Sequence, residues 1–214
     1  MHACLSQVKF FELQHAQIYS WVMVQVLRIL VTIPMLLGLA CSSSSNSTPM
    51  GAQQKGPNFV SYEGRSLEAG VSTRHANRNL GERWLVLQSS LVSRSGSIEL
   101  HRKNISVRDP NGNRLPLISR EEFRLSYPQF WSAFLDSELI GGDPWGDTGR
   151  LIPCGWFFVD PSKGLSQDAI YVNSQRGCFG PLVFQVPGGV QPGRWILMID
   201  LEEEDVRIPF QLQE

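Results

Sequence analysis

The sequence predicts an all-β protein: an antiparallel β-sandwich with a short helical insertion, set behind a secretory signal and a disordered tether. Three observations predict it. Short β-prone runs, several of them alternating with period two, recur from residue 58 onward. Turn formers separate them: the chain has 19 Gly and 13 Pro, a balance that suits sheets and turns. No strand–helix alternation of about 30 residues appears, which argues against a doubly wound parallel sheet.

Residues 1–40 read as an address. Residues 29–40, ILVTIPMLLGLA, form an uncharged apolar run that follows Arg28 and ends in small Ala40. A positive flank, an apolar core and a small-residue exit make a secretory signal peptide. The run falls short of the ~20 residues that span a bilayer. Extending it back through Trp21 places Arg28 inside, at a cost of a few kcal/mol. Phe10, Phe11, Glu12 and His15 do not belong in a basic n-region, whereas a start at Met23 gives a compact signal. Residues 1–22 are therefore expected to be a misassigned start. A precursor peptide spanning His2 and Tyr19 would end that idea.

Residues 41–57 follow as a cysteine and a tether. The stretch 42–51, SSSSNSTPMG, has the composition of a flexible linker. Leu37-Gly38-Leu39-Ala40-Cys41 resembles a lipobox, the site where bacterial prolipoproteins are lipidated on cysteine and cleaved before it. Gly38 stands where Leu is usual, with Leu37 one place early. The resemblance implies acyl chains, palmitate among them, on Cys41. It also implies anchoring to a membrane on the extracytoplasmic side of the cell envelope. Ser42 resembles the sorting signal for the outer membrane in diderm bacteria. The alternatives are an ordinary cleaved signal with a chance cysteine, and an uncleaved anchor.

Four cysteines sort by position. Cys4 lies in the removed segment, Cys41 is the lipidation site, and Cys154 and Cys178 remain in the exported domain, residues 58–214. Two cysteines in an oxidising compartment predict one disulfide. Its loop of about 25 residues suggests roughly 3 kcal/mol of stabilisation. Two free buried thiols, or half of a metal site, are the other readings. A metal needs more ligands, and the domain's only histidines are His75 and His101.

Within the domain, residues 83–93 are a long apolar run expected as a central strand. Residues 97–101 and 104–109 alternate as half-buried strands should. Pro110-Asn111-Gly112-Asn113 supplies a tight turn and 114–118 returns from it. Ser119 followed by Glu122 is a capping-box pattern, predicting a short helix to about Ser126. Pro128 should end that helix or open a second over 129–139, with Phe130, Phe134 and Trp131 on one face. Residues 141–147 form a Gly-rich loop, so 119–152 reads as a helical and loop insertion. Strands are expected again at 155–159, 169–172, 181–187, 195–200 and 206–212.

The order of the 84–93 strand, Ile105 through Asn113, then Gly180-Pro181-Leu182-Val183-Phe184-Gln185-Val186-Pro187 and a closing pair resembles an immunoglobulin-like domain. It is similar to the DUF4352 type found in bacterial surface lipoproteins, over about half of residues 80–214. That resemblance implies envelope location and a binding or scaffolding role, with no catalytic residues to carry over.

Charge supports no nucleic-acid partner. The net charge is −1; without Lys9, Arg28 and Glu12 of the first forty residues, 17 basic and 19 acidic groups remain. G-x-S-x-G, H-E-x-x-H, P-loop and G-x-G-x-x-G patterns are absent from the sequence, so no catalytic residue and no cofactor is assigned. His75 and His101 sit in polar surroundings and read as solvated surface. The acidic run Glu202-Glu203-Glu204-Asp205 reads as a hairpin tip, with weak Ca²⁺ binding as the alternative. Trp131, Phe134 and Trp145 are candidate binding aromatics; the competing reading has such residues filling the core beneath the inserted helix.

Three functions follow as expectations. The first is a non-enzymatic, membrane-anchored lipoprotein that binds or scaffolds an envelope protein partner. The second is an envelope hydrolase using Asp136, Glu138, Asp143 or Asp147 as a carboxylate pair. The third is a weak metal-binding protein.

Overall fold

The computed structural model describes residues 51–141 and 154–213, with backbone alone for 138–141. The described residues lie within one compact unit, Thr48–Glu214. Eleven strands in chain order are β1 (Ala52–Gly56), β2 (Phe59–Glu63), β3 (Leu67–Ser72), β4 (Trp84–Ser93), β5 (Ser97–His101), β6 (Ile105–Arg108), β7 (Arg114–Pro116), β8 (Ala169–Asn173), β9 (Cys178–Gln185), β10 (Gly193–Asp200) and β11 (Asp205–Leu212). One helix, α1 (Arg120–Gly141), lies between β7 and β8.

Every pairing is antiparallel. A five-stranded sheet runs β1-β2-β3-β4-β9, a four-stranded sheet runs β11-β10-β6-β7, and β5 pairs with β8. The all-β antiparallel sandwich expected from the sequence is the observed class. At one edge a bridge between Leu117 and Phe184 joins the two large sheets.

Period two explains the core. Paired residues of neighbouring strands point to the same face. In the first sheet that places Val60, Tyr62, Ala69, Val71, Leu85, Leu87, Leu91, Leu182 and Phe184 on one face, all buried. In the second it aligns Ile105, Val107, Trp195, Leu197, Ile199, Val206, Ile208 and Phe210, also buried. The opposite face of β4 carries Trp84, Val86, Gln88 and Ser90. Helix α1 covers it: the Trp84 and Phe130 rings lie 4.8 Å apart, and Gln88 Nε2 donates to Ser137 Oγ at 3.0 Å.

Four expectations need correction. First, residues 52–56 do not belong to the tether. Ala52 to Gln54 pair in register with Tyr62 to Val60, so the domain begins before residue 58. AQQKG carries little apolar signal because an edge strand buries one end only.

Second, Pro128 neither ends nor starts a helix; α1 runs through it. Phe123, Tyr127, Phe130, Phe134 and Ser137 recur at helical spacing on both sides of the proline and form one inward stripe, with all but half-buried Tyr127 fully buried. The Phe123 ring meets those of Tyr127, Phe130 and Phe134 at 5.4–5.6 Å. Pro128 is exposed, as is Arg124, so the carbonyl that loses its partner faces water. Ser119 caps the helix as expected, accepting from the Glu122 N–H at 3.1 Å.

Third, residues 155–159 form no strand. Trp156, Phe157 and Phe158 are buried, but this segment is held by side chains rather than by a ladder. Fourth, His75 is buried, at 3% exposure, and not on the solvated surface.

Candidate functional site

Two charged side chains organise the loops of the domain, and a polar cleft lies beside one of them. Arg102 follows β5 in a single 3-10 turn. Its guanidinium is buried and donates to the carbonyls of Ile118 at 2.9 Å, Phe157 at 2.6 Å and Gln167 at 2.6 Å. It lies 4.4 Å over the Phe158 ring. Asp168, largely exposed, stands 3.6 Å away. Burial lowers the Arg102 pKa to about 10, against the opposing pull of Asp168, which leaves the side chain charged at neutral pH. The planar fork is what lets one residue meet three carbonyls.

The 154–160 segment thereby finds partners without a sheet. Trp156 Nε1 also donates to the Pro181 carbonyl at 2.7 Å, and its indole lies over Gly180, where any Cβ would collide with the ring. The Cys154–Cys178 disulfide fastens the same segment to β9. This is the pairing expected from the cysteine positions.

Glu204 does the converse at the β10–β11 turn. Its carboxylate accepts from Tyr62 Oη at 2.8 Å and from the backbone N–H groups of Arg65 and Ser66, each at 2.9 Å. Partial burial pushes its carboxyl up, but the Ser66, Tyr62, Arg65 and Leu67 hydrogen bonds outweigh it and hold the pKa below the ordinary value. Burial and the Glu204 bond push the Tyr62 phenol up to about 12. A side chain on Gly64 would strike this carboxylate. The acidic run is therefore not a uniformly solvated tip: Glu204 turns inward while Glu202, Glu203 and Asp205 stay exposed.

Between this turn and β5 opens a cleft of about 480 Å³, lined by residues including Ser66, Glu99, His101, Lys103, Glu202 and Glu203. His101 Nε2 lies 3.5 Å from Glu99. Tyr171, opposite Glu99 on β8, donates its hydroxyl to that carboxylate, which raises the phenol pKa. Asp200, also lining the cleft, is ion-paired with Arg114 and, at 2.8 Å, with Arg207. Glu202, Glu203 and Lys103 form no ion pair with the described residues.

The sequence-derived candidates scatter. Trp131 is 52% exposed on α1, whereas Phe134 is completely buried in the helix–sheet interface. Phe134 therefore serves the core and is corrected as a surface-binding aromatic. Cys41, Trp145, Asp143 and Asp147 lie outside the described residues, as does the side chain of Glu138. Asp136 is exposed on α1. His75 contacts Asn79, with Nδ2 2.6 Å from Nε2; burial lowers its pKa against an opposing effect of Asp136. Among the described residues no three His, Cys, Asp or Glu side chains gather as a metal would require, and no helix is long and apolar enough to cross a membrane.

Arg102 and Ser66 carry no functional signal in the sequence, and Glu204 stands out there only as a member of the acidic run 202–205. Arg102 sits in His101-Arg102-Lys103, which reads as a polar turn. Glu204 is one of three identical neighbours. The one usable signal for Glu204 was Gly64 just after a strand, a position where a missing Cβ marks a close approach. Comparison with protein-family models, with curated proteins and with solved structures finds no match to this chain.

Proposed function

We propose that the protein is a non-enzymatic lipoprotein of the cell envelope: a β-sandwich held to a membrane by acyl chains on Cys41, acting as a binding or scaffolding module for another envelope component. The observation that carries the reading is the order along the chain. A signal-like apolar run ends at Ala40, Cys41 follows, and ten residues, 42–51, separate that cysteine from the first strand at Ala52. Fully extended, those residues reach about 35 Å, which keeps the domain within one domain diameter of the surface it is tied to. The Cys154–Cys178 disulfide supports an oxidising, extracytoplasmic setting. The immunoglobulin-like resemblance to surface lipoprotein domains belongs to the same reading.

Detergent phase separation of the full chain tests it. The parent protein should enter the detergent phase carrying labelled palmitate, whereas Cys41→Ser should take up no label and retain residues 29–40 ahead of the serine. Equal label on the two would overturn the anchor.

A further inference from the structure

We propose that the turn joining β3 to β4 is an acid-sensitive clasp: a proton on His75 opens it and releases the tie that Asn77 makes between the two large sheets. The inference goes beyond the envelope reading and rests on no part of it, because every group involved lies between Asn58 and Gln213.

The clasp is one side chain with two partners. Asn77 Nδ2 donates to Asn58 Oδ1 at 2.7 Å, in the β1–β2 turn, and Asn77 Oδ1 accepts from the Gln213 N–H at 3.0 Å, one residue past β11. The β1–β2 hairpin belongs to the five-stranded sheet and β11 to the four-stranded one. The backbone of a one-turn 3-10 helix, Ala76–Arg78, presents Asn77: its N–H donates to the Thr73 carbonyl and the Arg78 N–H to the His75 carbonyl, each at 2.9 Å. His75 therefore sits at the base of the clasp.

The imidazole is buried and faces a donor. Asn79 Nδ2 lies 2.6 Å from Nε2 and 3.1 Å from Nδ1, and donates to the His75 carbonyl at 3.2 Å. A neutral ring has one bare nitrogen to receive an N–H; an imidazolium has none. Protonation sets donor against donor where little water can intervene. Two charged groups bear on the ring: Arg78 on the same turn opposes the proton, and Asp136 on α1 favours it. Asn58 and Gln213, from the other elements meeting this turn, carry no charge. Asp136 is exposed, so a charged ring gains by moving out toward it. Burial prevails over Asp136 and holds the folded pKa below the ordinary value. The closed turn thus binds a proton less readily than the open one. Its stability is present in full above about pH 6.5 and is lost as pH falls through the lowered folded value.

Hydrogen exchange of the full chain in nonionic detergent, compared at about pH 7.5 and about pH 5 after correction for intrinsic amide rates, tests this. The amides of Asn77, Arg78, Asn79 and Gln213 should lose about tenfold in protection at the acid value while β4 and β9 keep theirs. His75→Gln, whose side-chain oxygen can accept from Asn79 and does not titrate, should remove the difference. Asp136→Asn retains His75 and should move the opening to lower pH; it decides the question if His75→Gln does not fold. Equal protection of the parent at both pH values, an undiminished loss in His75→Gln, an opening unmoved or moved to higher pH in Asp136→Asn, or a loss spread equally through β4 would overturn the proposal.

Discussion

Arg102 and Glu204 perform the same task in opposite surroundings. Each is one charged side chain that satisfies a loop backbone: Arg102 gives hydrogen bonds to three carbonyls, and Glu204 takes them from backbone N–H groups and Tyr62. Arg102 is 8% exposed, between aromatic rings, with its carboxylate partner at 3.6 Å. Glu204 is half-buried beside water. What differs is the alternative open to the groups they serve. Around Arg102 the Ile118 and Phe157 carbonyls belong to buried residues and only Gln167 is exposed, whereas at Glu204 the Arg65 N–H and the carboxylate itself stand beside solvent. A buried group left unpaired bears its full desolvation penalty, so the two residues should differ sharply in what their loss does.

The largest effect belongs to Arg102→Ala. Leaving three carbonyls unpaired should cost about 4 kcal/mol, read as a drop in the urea midpoint. Arg102→Lys should recover less than half of that, because an ammonium lacks the fork. Full recovery by lysine would mean that charge, not geometry, holds the loop. Next comes the disulfide that closes the same region. Cys154→Ser/Cys178→Ser should lose roughly 3 kcal/mol, and the same loss should appear on reduction of the parent. An unchanged midpoint would show that Arg102 and Trp156 already fix the segment.

Gly180→Ala should cost about 2 kcal/mol through overpacking against the Trp156 indole. Tryptophan fluorescence of the single Gly180→Ala variant should report the displaced Trp156 ring, and in a Trp156→Ala background the Gly180 substitution should be nearly neutral. Smallest is Glu204→Gln, at about 1 kcal/mol, since the lost charge-assisted bonds are partly replaced by water.

That last variant also has a pH signature. Glu204 and Asp200 are both held below the ordinary carboxyl value, burial opposing and hydrogen bonds or arginines prevailing. Their folded forms bind a proton less readily than the unfolded chain does. The stability they contribute is thus complete above the unfolded value near pH 4 and is lost as pH falls through the folded values. Urea midpoints between about pH 5 and pH 3 should fall less steeply in Glu204→Gln than in the parent.

How far the sequence revealed the molecule follows from the same contrast. Period-two strands such as β5, β6 and β11 were legible because hydrophobic alternation is a local property, and β4 was legible as a continuous apolar run. The Ser119 cap and the Cys154–Cys178 pairing were legible for a similar reason: few residues and few alternatives. Residues 155–159 misled because burial alone cannot distinguish a strand from a segment bonded by a distant arginine. Pro128 misled because aromatic packing on both sides of it outweighed a lost backbone bond. The cleft was invisible, since Ser66, Glu99 and Glu203 are brought together only by sheet topology.

The proposed tie through Cys41 is tested by the mass of the mature N-terminal peptide from membranes. Its first residue should be Cys41, carrying thioether-linked and amide-linked acyl mass. An unmodified peptide beginning at any other residue, or one running through Ala40 into Cys41, would contradict it.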